Sequence, residues 1–204
     1  MRARHLLSLA TIVWCTTTTA QAVQHKHLLT GFGAGAGVLH MHGTPEGSLF
    51  DATDLPCGAV RFAFGYAFAD RWSIGLHYDR VGSAEVAEHV DRVRLTTYQL
   101  EGAYRPWIGN KATLETHLAL GVSLAALTPE GGRLPYRART GVYTIGARYI
   151  HMFGEVLGGY VALDHSASGQ AAVDPPDDRM EQASTEEHMD WQADRLSLGL
   201  LIRF

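Results

Sequence analysis

Asp164, His165, Ser166 and Ser168 fall together in the stretch ALDHSASGQ (162–170). A histidine that accepts the proton of a serine hydroxyl, with an acid holding the imidazole, is the smallest constellation able to cleave an ester. Adjacent residues on a strand point to opposite faces, so a regular strand through 165–166 would separate His165 from Ser166. Ser, Asp and Gly are also ordinary turn formers. The stretch is read first as the entry to a loop, and His165, Ser166 and Ser168 are the catalytic candidates.

Two His-x-His pairs, His25 with His27 and His40 with His42, would each project to one side of a strand, and imidazole suits zinc or copper. No third ligand can be named, so His40 and His42 are the metal candidates and no cofactor is expected. A third chemical suggestion comes from GFGAGAGVLHMHG (31–43). A dinucleotide fingerprint needs G-x-G-x-x-G between a strand and a helix. Counting from Gly31 or Gly33 puts Ala36 or Val38 at its last position, and no Gly-Lys-Ser/Thr follows. Gly31, Gly33, Gly35 and Gly37 instead share one face of an extended strand, with Phe32, Ala34, Ala36 and Val38 on the other.

The elements that position these residues are legible from both ends of the chain. Residues 1–22 read as a cleaved export signal: Arg2 and Arg4, then the short apolar run LLSLATIVW, then AQA before Val23. Trp14 before Cys15 argues against a lipoprotein site. The mature chain, 23–204, is expected to be a single domain with one cysteine, Cys57, and so no internal disulfide. It has no apolar run near the ~20 residues of a spanning helix. Its ending, RLSLGLLIRF, alternates Leu196, Leu198, Leu200, Ile202 and Phe204 along one face.

Between the ends, eight alternating segments lie near 28–42, 57–69, 71–82, 93–106, 112–126, 138–152, 155–165 and 191–204. Short joints (69–71, 107–111, 153–154) alternate with long ones (43–56, 83–92, 127–137, 166–190). Ten-residue alternation with joints of two kinds predicts an all-β fold, an eight-stranded antiparallel up-and-down transmembrane β-barrel. On one face stand Val60, Phe62, Phe64, Tyr66 and Phe68, or Trp72, Ile74, Leu76 and Tyr78. The opposite face mixes glycine, alanine and charge. A water-soluble barrel built this way would have no core; with the bulky face toward lipid the pattern is satisfied.

Phe68, Trp72, Tyr104, Trp107, Tyr149, Phe153 and Phe204 gather at the short-joint ends, as an interfacial girdle would. The inner face is expected to carry a polar network of Arg61, His77, Asp79, Gln99, Glu101, Arg105, Glu115, His117, Arg148 and Arg195, with Arg203 also inward. Pairing Phe68 with Trp72 across the turn sets Arg61 opposite Asp79. Eight strands leave an interior only wide enough for side chains to fill, which favours a structural polar core over an open pore. The opening glycines then make room for long polar side chains from other strands.

The last long joint, 166–190, holds seven acids and one arginine. The mature chain carries a formal charge of −6 once Arg2 and Arg4 leave, so the whole net charge resides there. Such a segment is expected to be solvated and to keep the surface soluble, with divalent cations or a basic partner as the alternatives. An acidic chain argues against nucleic-acid binding.

Ser197, Gly199, Ile202 and Phe204 match the polar-x-Gly-x-x-apolar-x-apolar spacing of the C-terminal insertion signal of bacterial outer-membrane barrels. With the export signal, the eight strands and the girdle, the chain resembles the small eight-stranded outer-membrane proteins. These include the outer membrane protein A-type barrel domain and the outer membrane protein W family. That resemblance implies an outer-membrane location with periplasmic termini and extracellular long loops. The implied partners are outer-membrane lipid and lipopolysaccharide, the barrel-insertion machinery and periplasmic chaperones, and an extracellular partner of the loops. The W family implies a narrow channel for small, mainly hydrophobic molecules; a structural or surface-exposed barrel and an adhesin are the other readings. Small lipid A deacylases carry His-x-Ser followed by Asn near a late strand and an acidic partner further on, a part that the resemblance would give to Glu186 or Glu187. Here His165 is followed by Ser-Ala-Ser-Gly, a departure that counts against a hydrolase.

Overall fold

The computed structural model describes residues 26–44, 52–87, 90–129, 135–174 and 187–204. The expected export signal with its expected cleavage point before Val23, and also His25, Glu186 and most of the acidic joint, lie outside the described residues. The strands are β1 (His27–Thr44), β2 (Ala52–Ala69), β3 (Trp72–Ala87), β4 (Val90–Ile108), β5 (Ala112–Pro129), β6 (Tyr136–Met152), β7 (Leu157–Ser168), β8 (Ala171–Asp174) and β9 (His188–Arg203). Each pairs antiparallel with its neighbour, and β1 pairs with β9 as well as with β2, so the sheet closes. Closure leaves no sheet edge whose N–H and C=O groups would lie unpaired in hydrocarbon.

The barrel has eight positions around its circumference, because β7 and β8 share one. β7 pairs with β6 from Val142 to Met152, and β8 takes over at Arg137 and Ala138. Gly169 and Gln170 form the break, with the Gly169 amide donating to the Gly141 carbonyl at 3.0 Å. The break reverses parity: even-numbered residues point inward on β7, and Ala171 is the buried one on β8. This corrects the sequence reading of 166 as the start of a loop. Small residues and the parity change conceal a strand that continues to Asp174.

Most strands also run past their expected limits at the long-joint end: β2 begins at Ala52 rather than 57, and β3 ends at Ala87 rather than 82. The outward apolar signal stops where lipid would stop, whereas backbone pairing continues above it. At the turn between β2 and β3 the expected pairing of Phe68 with Trp72 does not form: Ala69 pairs with Trp72 and Ala67 with Ser73, leaving Phe68 as a bulge. Beyond the bulge the register sets Arg61 against Asp79.

The faces divide as side-chain alternation requires. Outward Leu76, Leu163 and Leu198 are 62%, 63% and 62% exposed. Each such side chain forgoes roughly 1.5–3 kcal/mol if left in water, and a continuous belt of them has a physical rationale only against lipid. From Phe68 to Val60 the outward apolar face of β2 covers about 27 Å of strand, or about 20 Å of height at the ~40° tilt of such barrels.

Candidate functional site

The interior is where the fold gathers its chemistry, and it is layered. At the long-joint end an apolar plug fills the lumen. Leu39, Met41, Leu95, Leu127, Val81, Val93, Met189 and Trp191 are all fully buried and pack as one cluster. They come from β1, β3, β4, β5 and β9, so the plug is anchored around the wall. The sequence reading assigned the inner face glycine, alanine and charge along its whole length. The structure corrects this: the pattern changes above mid-barrel, where the interior is as apolar as that of a soluble protein.

Below the plug lies the polar layer. All ten residues of the expected network point inward and are buried. Arg61 donates to Asp79 through Nε and Nη2 at 2.7 and 2.9 Å, a bidentate geometry that matches the fork of the guanidinium to the carboxylate. Arg61 Nη1 also lies 2.9 Å from Asp164 Oδ2. Asp79 accepts from Arg195 at 3.2 Å, and Arg195 donates to Ser166 Oγ at 2.8 Å. His77 bridges Gln99 at 2.7 Å and Glu101 at 3.0 Å, and Gln99 reaches Thr144 at 3.0 Å. Arg148 donates to Glu101 at 2.8 Å, and Arg105 to Glu115 at 3.1 Å. His117 Nε2 is 2.8 Å from Asp164.

Charge within the layer balances. The buried arginines are Arg61, Arg105, Arg148 and Arg195; the buried carboxylates are Asp79, Glu101, Glu115 and Asp164. Counted over these arginines and carboxylates, four positive groups face four negative ones among the described residues. Burying an ion costs several kcal/mol unless it is paired and hydrogen-bonded. Each of these ions has an opposite partner, although Arg61 Nη1, Arg148 Nε, Arg195 Nε and Asp164 Oδ2 make no hydrogen bond among the described residues. A cavity of about 30 Å³ beside Ser73, Glu101, Glu115 and Arg148 has room for about one water.

A second apolar cluster forms a partial floor toward the short-joint end on β6, β7, β9 and β1: Ile150, Tyr160, Ala162 and Leu201, with Leu29 and Met152 against them. On the opposite wall Arg105 reaches the Asp70 carbonyl in the turn at 3.2 Å. Tyr160 explains part of the opening glycine run. A Cβ at Gly33 would collide with the Tyr160 hydroxyl, and one at Gly199 with its ring. Gly33, Gly199 and Tyr160 occupy one ladder row across β1, β9 and β7. The space left by these glycines is thus filled by a phenol rather than by the arginines alone, with the Arg148 guanidinium 5.7 Å from the ring centroid. Gly35 and Gly37 admit close approach of the β9 backbone. Tyr160 and the inward role of Asp164 were absent from the expected network. Parity counted back along the seventh strand from Asp164 would have found both.

The remaining candidates do not assemble. His165 points outward and meets Asp194 at 2.8 Å, whereas Ser166 points inward into the polar layer. Ser168 Oγ accepts from the Trp191 amide at 2.9 Å, and the Glu187 carbonyl accepts from the Val173 amide. No His–Ser pair exists at this stretch. His40 and His42 share the outward side of β1, and His40 Nδ1 lies 3.8 Å from Asp54, at the one non-glycine residue with positive φ among those described. No group of three metal-ligating side chains occurs among the described residues. Cys57 is buried at the edge of the plug. Arg203 is only partly buried and donates to the Glu155 carbonyl at 3.0 Å.

Phe68, Trp72, Tyr104, Trp107, Tyr149 and Phe153 lie at the turn end, with Trp72 and Tyr104 rings 4.7 Å apart. A second aromatic tier was not anticipated: Phe32, Phe62, Tyr78 and Tyr98 form a chain of rings 4.9, 6.2 and 5.4 Å apart, farther along their strands from the turn end than the girdle. In the insertion motif Ser197 faces inward, Ile202 faces outward, and the Phe204 backbone exchanges two hydrogen bonds with Leu28.

No protein-family model and no curated protein sequence matches the chain. Solved structures do. Neisserial surface protein A superimposes with a TM-score of 0.62 at 11% identity, covering 88% of this chain and 99% of that one. The outer membrane protein OprG from Pseudomonas aeruginosa gives 0.50 at 14% identity, covering 88% and 95%. At these identities the likeness concerns the fold. The chain has the fold of the small eight-stranded outer-membrane β-barrels.

Proposed function

We propose that this protein is an outer-membrane barrel with a closed lumen, acting as a rigid scaffold that carries its long joints at the cell surface. The observation that carries the reading is the three-layer filling of the interior: apolar plug, neutralised ionic layer, and a floor built on Tyr160. A narrow channel needs an aqueous thread, and a wall of eight strands has no width to spare once Trp191, Leu39, Met41 and Leu127 occupy it. Function then moves to the long-joint end, where β2, β3 and β9 extend beyond the lipid-facing belt.

Two measurements test this reading. Liposomes containing the refolded mature protein are expected to take up a graded set of polar and apolar solutes no faster than empty liposomes; saturable uptake of one class would make the protein a channel. In intact cells a membrane-impermeant maleimide is expected to label Gln192→Cys at the long-joint end and to spare Lys111→Cys at the turn end. The reverse pattern overturns the orientation.

A further inference from the structure

Above the tyrosine tier, the outward face is not uniform around the barrel. Arg80 on β3, Arg92 and Arg94 on β4, and Arg137 and Arg139 on β6 all point outward and are exposed. Their alternation with buried Val81, Val93, Leu95 and Ala138 fixes that direction. Arg80 is the next outward residue after Tyr78 on β3, and Arg94 follows Tyr98 and Thr96 on β4, whereas Arg137 and Arg139 lie across β5 from them. The far side of the rim, on β7, β9, β1 and β2, instead carries His165, Asp190, Asp194, His40, His42 and Asp54. Among the described residues it has no outward arginine or lysine at this end.

The five arginines have no ion pair or hydrogen bond among the described residues, although Asp174 stands opposite Arg137 in the ladder. Between the arginines of β3 and β4 the wall is cut back. Gly58, Gly82 and Arg94 occupy one cross-strand row, and Val60, Arg80 and Thr96 the next. A Cβ at Gly58 would meet nothing within 4 Å, and one at Gly82 only the Val93 carbonyl at 3.6 Å. Neither glycine is needed for backbone packing, yet together they open a depression of about 550 Å³ rimmed by Arg80, Arg92 and Arg94.

We propose that this depression and its arginines bind the phosphate groups of a membrane lipid headgroup. Arg92 and Arg94 sit about 7 Å apart along the strand, and Arg80 is diagonal to Arg94 at about the same separation. Arg94 lies between the other two, and guanidinium forks so placed suit phosphate, whose oxygens accept paired N–H bonds. The aromatic tier below holds the acyl chains at the matching depth, and the glycines leave room for the headgroup. The location above the apolar belt rests on the membrane reading given above and commits the site to a lipid rather than to a free anion.

The test uses the full mature barrel in nanodiscs of phosphatidylcholine, alone or doped with bisphosphorylated lipid A or its dephosphorylated form. Retained lipid is counted by native mass spectrometry. Bisphosphorylated lipid A is expected to stay bound, and Arg80→Gln/Arg92→Gln/Arg94→Gln is expected to weaken retention at least about tenfold, the loss of one charge-assisted contact or more. Gly58→Leu, which keeps every arginine and fills the depression, is expected to weaken it as well. Arg71→Gln/Lys111→Gln, at the turn end, is expected to leave it unchanged. Equal retention of the dephosphorylated form, or full retention by the triple variant, overturns the proposal. Displacement by equimolar inorganic phosphate overturns the lipid assignment. Nanodiscs report on the site whichever end faces outward and whether or not the lumen is closed, so failure here is distinguishable from failure of the scaffold reading.

Discussion

Replacing Asp79 by Asn removes one negative charge from the point where two arginines converge while keeping the side chain's shape. Asp79 is 1% exposed, accepts two bonds from Arg61 and lies 3.2 Å from Arg195. The substitution leaves four buried arginines facing three buried carboxylates. Breaking one partner of a buried ion pair costs about 3–5 kcal/mol, because the other charge stays desolvated. The lower bound alone raises the unfolding equilibrium constant roughly 150-fold. Arg195→Met in the same background restores neutrality, and Arg61 keeps Asp164 at 2.9 Å. The double variant is therefore expected to be more stable than the sum of the single losses by about 1–3 kcal/mol. Urea unfolding in lipid, followed by fluorescence of Trp72, Trp107 and Trp191 and by heat-modifiable mobility, reads all four corners of the cycle. A loss under about 1 kcal/mol for Asp79→Asn, or strict additivity, would refute the claim that the layer is held by mutual neutralisation.

Trp191→Ala removes the largest fully buried side chain of the plug and is expected to cost about 3–5 kcal/mol in the same assay, without opening a conductive path, because the ionic layer and the Tyr160 floor remain. Gly33→Ala drives a methyl into Tyr160 and is expected to cost about 1–3 kcal/mol, with recovery in Gly33→Ala/Tyr160→Ala; a cost that persists unchanged in the double variant would assign the glycine another role. His165→Ala breaks the outward pair with Asp194, which is 62% exposed, and is expected to shift stability by less than about 1 kcal/mol; a larger loss would place that pair in the stabilising framework.

The barrel was legible because its exterior obeys a two-residue period that only lipid satisfies, as Phe62, Phe64 and Tyr66 on β2 illustrate. Register was legible across the β2–β3 turn as well. The bulge at Phe68 leaves Arg61 facing Asp79, as pairing from the turn required. The interior was less legible, for a physical reason. An inward leucine above mid-barrel and an outward leucine below it look the same in a sequence, so Leu39, Met41 and Leu95 gave no sign that they close the lumen. Tyr160 was hidden because its partners are glycines on two other strands, visible only once β7, β9 and β1 are laid side by side. The strand through Ser166 was obscured by the parity change at Gly169, and with it the inward place of Asp164 and Ser166.

A filled lumen is tested most directly by ionic current through the refolded protein in a planar bilayer. Baseline current is expected for the wild type at every voltage the bilayer withstands, and the same for Arg61→Ala, since the plug of Trp191, Leu39 and Met41 lies outside the ionic layer. Discrete, reproducible steps in the wild type, altered in selectivity by Arg61→Ala, would contradict it and make the ionic layer the wall of a pore.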